Sequence, residues 1–196
     1  RPFIGLTVGD PAGVGPEIVV KALQDQSAVD AIRGVVYADG AVLADTLRFL
    51  SIDNELHPVE RPADGRFEVG CIDYVDCGVL AAKPAGQAPI AMGQIGPEGG
   101  RAGYTYLDRA IDAALKGDLD GLATAPLNKE SLQAAKVPFI DHTAVLTSKA
   151  AHRAPMTLFV AQTLKIFFLT RHISFREIAD AITGELILEA LPLCDL

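Results

Sequence analysis

Apolar runs and amphipathic segments alternate along most of the chain, and the alternation predicts strands and helices in turn. Residues 3–8 read as a strand. Residues 16–23 read as a helix with Pro16 in its first turn, where the missing N–H would have no intrahelical partner anyway. Residues 34–38 predict a second strand and 41–50 a second helix. Between 53 and 94 the pattern weakens to strand candidates near Leu56 and Ile72, broken by Pro58, Pro62, Pro84 and Pro89. The clearest helix spans 101–116, where Leu107, Ala110, Ile111, Ala114 and Leu115 fall on one face and Gly117 supplies a stop. Residues 119–125 predict a strand, and 128–135 and 143–151 predict helices. Residues 157–161 and 164–169 form an apolar pair suited to a hairpin. Ser174 and Glu177 have capping-box spacing at a helix start, and a helix over 185–191 is broken by Pro192. Alternating β and α, with no internal repeat or low-complexity segment, predicts an α/β fold with a largely parallel sheet covered on both faces.

The composition, 49% apolar and 21% charged, is enough to build a sizeable core. A net charge of −8 disfavours a general nucleic-acid or anionic-membrane surface, while leaving room for a local basic pocket that takes a small phosphorylated substrate. Cys71, Cys77 and Cys194 lie outside any Cys-x-x-Cys pattern, which fits a reducing compartment and no disulfide framework. The first apolar run is cut short by Gly9-Asp10-Pro11, and no run approaches a membrane span. The expectation is a cytoplasmic protein with neither nucleic acid nor membrane as partner. After Pro192 the sequence Leu193-Cys-Asp-Leu196 carries no capping signal, which suggests that the chain stops short of a complete domain.

Four segments sit where a strand end meets a helix start, the usual ligand position in α/β proteins. Gly9-Asp-Pro-Ala-Gly-Val-Gly-Pro-Glu17 permits close backbone approach, but it is neither the Gly-x-Gly-x-x-Gly fingerprint nor a P-loop. It reads as a ligandless turn or as an anion-receiving helix start, and pattern alone leans to the first. In Ala123-Thr-Ala-Pro-Leu-Asn-Lys-Glu130, Asn128 is a candidate cap and Lys129 opposes the helix dipole, although a solvated lysine is the commoner explanation. In Phe139-Ile-Asp-His-Thr-Ala144, His142 and Thr143 offer hydrogen bonds to a polar substrate, with a structural histidine as the equal alternative. The run Lys165-Ile-Phe-Phe-Leu169 ends in Thr170-Arg171-His172, so His172 is a candidate metal ligand. One histidine does not make a metal centre. His57, beside Pro58, and His152 read as surface residues with no ligand spacing to His172. There is no Gly-x-Ser-x-Gly elbow and no cysteine motif of lowered pKa.

Taken in order, Leu6-Thr-Val-Gly-Asp-Pro-Ala-Gly-Val-Gly-Pro-Glu-Ile18, Pro97-Glu-Gly-Gly-Arg-Ala-Gly-Tyr-Thr-Tyr-Leu107, Thr124-Ala-Pro-Leu-Asn-Lys-Glu130, His142-Thr143 and Thr170-Arg-His172 resemble the 4-hydroxythreonine-4-phosphate dehydrogenase (PdxA-like) family. The resemblance covers about residues 3–183 and the N-terminal part of the family's pattern. It implies an α/β/α sandwich of the isocitrate/isopropylmalate dehydrogenase-like type, with residues 1–196 as part of one dehydrogenase domain whose C-terminal part is missing. It further implies NAD or NADP, a divalent metal (Zn, Mg or Co), and a homodimer with its active site at the subunit interface. The implied reaction oxidises 4-phosphooxy-L-threonine to a 3-oxo acid. That acid decarboxylates to 3-amino-2-oxopropyl phosphate, in pyridoxal phosphate biosynthesis.

Carried over residue by residue, His142 and Thr143 match the family's substrate-binding Gly-His-Thr pair, and His172 matches the first of three metal-binding histidines. The motifs that hold the other two histidines, and the downstream Lys, Asn and Arg that hold substrate, do not occur in this chain. No residue is assigned to the nicotinamide, although Asp10 and Lys129 are polar groups at strand ends. Two positions depart from the family: Asp141 stands where Gly is usual, and Ala144 where Glu is usual. An inward-facing Asp141 carboxylate would repel a substrate phosphate. With Arg171 beside His172, these departures make 4-phospho-D-threonate or 4-phospho-D-erythronate the alternative substrate. A catalytically incomplete binding fragment is the third reading.

Overall fold

The computed structural model describes residues 1–81, 83–84, 87–149, 156–171 and 173–194. The chain divides into two compact units, residues 1–149 and 150–196. The first is built on strands β1 (Phe3–Thr7), β2 (Arg33–Ala38), β3 (Glu55–Pro58), β4 (Cys71–Asp76) and β5 (Gly121–Thr124). They form one sheet in the order β3-β4-β2-β1-β5, and every pairing is parallel. Val35, Val36, Tyr37 and Ala38 of β2 are buried in succession. A strand covered on both faces needs such an unbroken apolar run, which is why this one was legible as a strand.

The helices of this unit are α1 (Gly15–Ala22), α2 (Gln26–Ala31), α3 (Gly40–Leu50), α4 (Pro97–Leu115), α5 (Lys129–Ala134) and α6 (His142–Lys149). α1 and α3 pack against each other, and α4 packs on β1, β2 and β5. Right-handed crossovers that run outward from β1 to β3 and back from β4 to β5 put α1 and α3 on one face and α4 on the other. The α/β/α sandwich and its mostly parallel sheet are therefore as expected. In α4 the predicted stripe is buried at Leu107, Ala110 and Ile111, but Leu115 is 60% exposed.

Two helical features depart from the reading of the sequence. The short α2 was not expected. α4 begins at Pro97 rather than 101, despite glycines that favour no helix. Packing decides this start: a Cβ on Gly100 would lie 2.0 Å from the carbonyl oxygen of Ser131, so only glycine lets α4 meet α5 this closely. His57 is a correction as well. It lies in β3 rather than in a surface turn, with its Nδ1 2.7 Å from Oδ1 of the buried Asp73.

The second unit opens with the expected antiparallel hairpin of β6 (Thr157–Ala161) and β7 (Leu164–Phe168). Ser174 and Glu177 form only half of a capping box. The Ser174 N–H and hydroxyl both donate to the Glu177 carboxylate, at 3.0 and 2.6 Å, and helix α7 (Ile178–Ala181) starts later than expected. Thr183 caps α8 (Gly184–Ala190) by accepting from the Leu186 N–H. The chain then passes Pro192 in a 3-10 turn, Leu191–Cys194. Among the described residues no helix is long and apolar enough to cross a membrane.

Candidate functional site

The chain leaves β1 toward β2 and returns in β5 on the other side of β1. The loops that follow these two neighbouring strands therefore diverge to opposite faces and leave a crevice at their C-terminal ends, the topological switch point where open α/β sheets bind ligands. Hydrogen bonds set its rim. The Asp10 N–H donates to the Pro126 carbonyl (3.0 Å), and the Gly93 N–H donates to the Ala12 carbonyl (2.7 Å). Between these loops lies a cavity of about 240 Å³ lined by Asp10, Val14, Gln94, Ile95, Leu127 and Asn128. Its walls mix the apolar Val14, Ile95 and Leu127 with the polar Asp10, Gln94 and Asn128. Asp10 is 5% exposed, and its Oδ1 accepts the Ala12 N–H at 2.9 Å, which fixes the carboxylate in the turn. Asn128 caps α5 as expected, accepting the Ser131 N–H at 3.0 Å, so its amide N–H groups remain as donors. Lys129 is exposed and does not line the cavity.

His142 and Thr143 open α6, and the helix start explains Asp141. Its carboxylate accepts the Ala144 N–H at 2.9 Å, so Asp141 is the N-cap and its charge is engaged with the helix start. The buried Val145 anchors α6 beneath. At the other end the Lys149 ammonium reaches Asp108 and Asp112 of α4 at 2.7 and 2.6 Å. Partial burial works against the Lys149 charge, but hydrogen bonds to the two aspartates outweigh it and hold the ammonium pKa above its ordinary value. With both ends fixed, the His142 Nε2–H donates to the Ala125 carbonyl at 3.1 Å. The carbonyl can only accept, so Nε2 carries a proton, and in the neutral ring Nδ1 is then the acceptor. Neither His142 nor Thr143 lines the cavity. His142 meets the exit of β5 one residue ahead of Pro126, which does.

His172 and His152 lie outside the described residues. Arg171, next to His172, donates to the Thr157 hydroxyl at 2.9 Å. Among the described residues the potential metal-ligating trio is His57, Cys71 and Asp73, which the sequence did not suggest. Two further elements escaped sequence reasoning. Gly93 to Ile95 came from the stretch whose pattern was weak. Asp39, at the end of β2, is buried and accepts the N–H groups of Val79 and Leu80 at 2.9 and 2.7 Å. Its signal was a carboxylate directly after a buried strand.

Fold and crevice define an open, parallel α/β domain of the kind that binds small ligands at its switch point. The family model described as pyridoxal phosphate biosynthetic protein PdxA matches residues 30–195, and the chain belongs to that family. A protein of Symbiobacterium thermophilum, provisionally named D-threonate 4-phosphate dehydrogenase, is 36% identical over 99% of this chain and 56% of its own length. The crystal structure of a 4-hydroxythreonine-4-phosphate dehydrogenase from Burkholderia phymatum superposes with a TM-score of 0.87 at 32% identity, over 97% of this chain and 56% of that one. The corresponding Klebsiella pneumoniae structure gives 0.84 at 28% identity, over 99% and 57%. The chain thus spans little more than half the length of the relatives it matches.

Proposed function

We propose that this chain is part of a dehydrogenase that oxidises the secondary alcohol of a small phosphorylated hydroxy acid, with NAD or NADP as hydride acceptor and a divalent ion at the substrate. The observation that carries the reading is the contact of His142 with Ala125 at the exit of β5, one residue ahead of the crevice-lining Pro126. His142 has one ring nitrogen committed to the Ala125 carbonyl and offers Nδ1 to a substrate hydroxyl. The Thr143 hydroxyl adds a second polar contact. The position of the crevice at the switch point supports a seat there for part of the dinucleotide. His172 is this chain's contribution to the ion, which polarises the alcohol oxygen when bound.

Between the two substrates, 4-phospho-D-threonate leads. Relatives at 32–36% identity over 194 residues carry the D-threonate 4-phosphate name. 4-Phosphooxy-L-threonine is the second reading, favoured by the names of the structural relatives. The test is NADH or NADPH formation by the complete protein with each compound and added Mg²⁺, Zn²⁺ or Co²⁺. Turnover of either supports the dehydrogenase reading, and the better substrate decides between them. No turnover of either overturns it and leaves a binding role.

The reading includes a homodimer in a cytoplasmic setting. Phe159, Leu164, Ile166 and Phe168 lie on one face of the β6–β7 hairpin and are between 38% and 59% exposed, an apolar surface suited to a second copy. Phe159→Asp is expected to shift the mass in solution from dimer to monomer. A monomeric wild type, or a variant that stays dimeric, would count against this face.

A further inference from the structure

We propose that His57, Cys71 and Asp73 form a binding site for a thiophilic divalent cation, Zn²⁺ foremost, that clips the edge strand β3 to β4. The placement follows from strand geometry. Cys71 and Asp73 are two apart on β4 and so share a face, and the parallel register sets His57 opposite Asp73. One donor atom from each residue lies within 4.8 Å of the other two. Leu56 and Ile72, on the opposite face, make the apolar contacts, so the polar face is a local departure in an otherwise apolar sheet.

The carboxylate is already oriented. Asp73 Oδ2 accepts the backbone N–H groups of Arg66 (3.0 Å) and Phe67 (2.8 Å), which turns Oδ1 toward His57. Such outer hydrogen bonds fix ligand direction in metal sites. The donor set is chemically selective. A thiolate, an imidazole and one carboxylate suit zinc, whereas Mg²⁺ and Ca²⁺ require mostly oxygen. Charge balances as well: a thiolate, a carboxylate and a neutral imidazole around a divalent ion sum to zero, which a half-buried site tolerates. On binding, the Cys71 thiol proton leaves for solvent, the ion replaces the hydrogen bond between His57 Nδ1 and Asp73, and the neutral ring keeps its one proton on Nε2, with no change of oxidation state. Without an ion, burial first and the Asp73 charge second hold the Cys71 thiol pKa above its usual value, so the metal-free site keeps its proton. The side chain of His57 is 24% exposed, which leaves an entry path from solvent.

The experiment is titration of the complete metal-free protein with Co²⁺, followed by its thiolate-to-cobalt charge-transfer band in the near ultraviolet. A histidine-only site gives no such band, so an ion held elsewhere does not mimic the result. The expected outcome is a saturable band that Zn²⁺ displaces, that Cys71→Ser abolishes and that Cys77→Ser leaves intact. His57→Gln should weaken Co²⁺ binding about tenfold or more. Should Cys71→Ser fail to fold, X-ray absorption of the Zn²⁺-loaded wild type reads the same point through a sulfur neighbour of zinc. No band in the folded wild type, a band that survives Cys71→Ser, or a zinc shell without sulfur would overturn the proposal. His57 and Asp73 would then be a structural hydrogen-bonded pair alone.

Discussion

Gly9→Ala is expected to destabilise the first unit by about 3 kcal/mol or more, seen as a lowered urea midpoint with an unchanged slope. Two costs add. Gly9 has φ +66°, a conformation that costs a residue with a side chain about 1–2 kcal/mol. A Cβ there would also lie 2.1 Å from the Pro126 oxygen and 2.8 Å from the Ala125 oxygen. Both are backbone atoms at the exit of β5, so no rotamer change relieves the contact. The β1–α1 loop would have to withdraw, stretching the hydrogen bond from the Asp10 N–H to Pro126 and opening the rim of the crevice. Gly70→Ala separates the terms. Gly70 has φ +86° with open space where its Cβ would be, so it should lose only the conformational part, about 1–2 kcal/mol. Equal losses at the two positions would show that close approach at the crevice carries no weight.

The same crevice shows what the sequence could and could not reveal. β2 was legible because burial on both faces demands an uninterrupted apolar run, and such a run survives without any knowledge of partners, whereas the edge strand β5 is only partly covered. The motif at Gly9 to Glu17 was legible as a turn, yet its function as a rim depends on Pro126 and Gly93, more than eighty positions away. Nothing local marks those pairings. The start of α4 was missed because glycines at 99 and 100 oppose helix formation, and the close packing of α4 on α5 overrides that preference. The trio on β3 and β4 was missed for a related reason. His57 and Asp73 face each other only through strand register, and register is a tertiary outcome. By contrast, the caps at Asn128 and Thr183 act within three residues, and the Asn128 cap was named in advance. Asp141 shows both sides: its departure from the family was visible in the sequence, while its service to the Ala144 N–H emerged only in the structure.

His142→Gln is expected to lower kcat/KM with 4-phospho-D-threonate about a hundredfold or more while leaving the fold intact. Glutamine can place an N–H near where the imidazole Nε2–H donates to the Ala125 carbonyl, so the helix start and the β5 exit stay joined. What it removes is the ring nitrogen on the other side, the acceptor that the proposed function gives to the substrate hydroxyl. Loss of a positioned proton acceptor typically costs 10²–10⁴ in rate. His142→Ala removes both functions and should add a stability loss of about 1 kcal/mol from the missing hydrogen bond, visible as a lower melting temperature beside a similar loss of activity. The split between kcat and KM then identifies the role. A loss mainly in KM means that Nδ1 holds the substrate in the ground state, and a loss mainly in kcat means that it acts as the hydroxyl proton departs. Full activity in the Gln variant, set against an active wild type, would reduce His142 to a brace between α6 and β5. An inactive wild type would instead remove the dehydrogenase reading itself, so the two failures remain distinguishable.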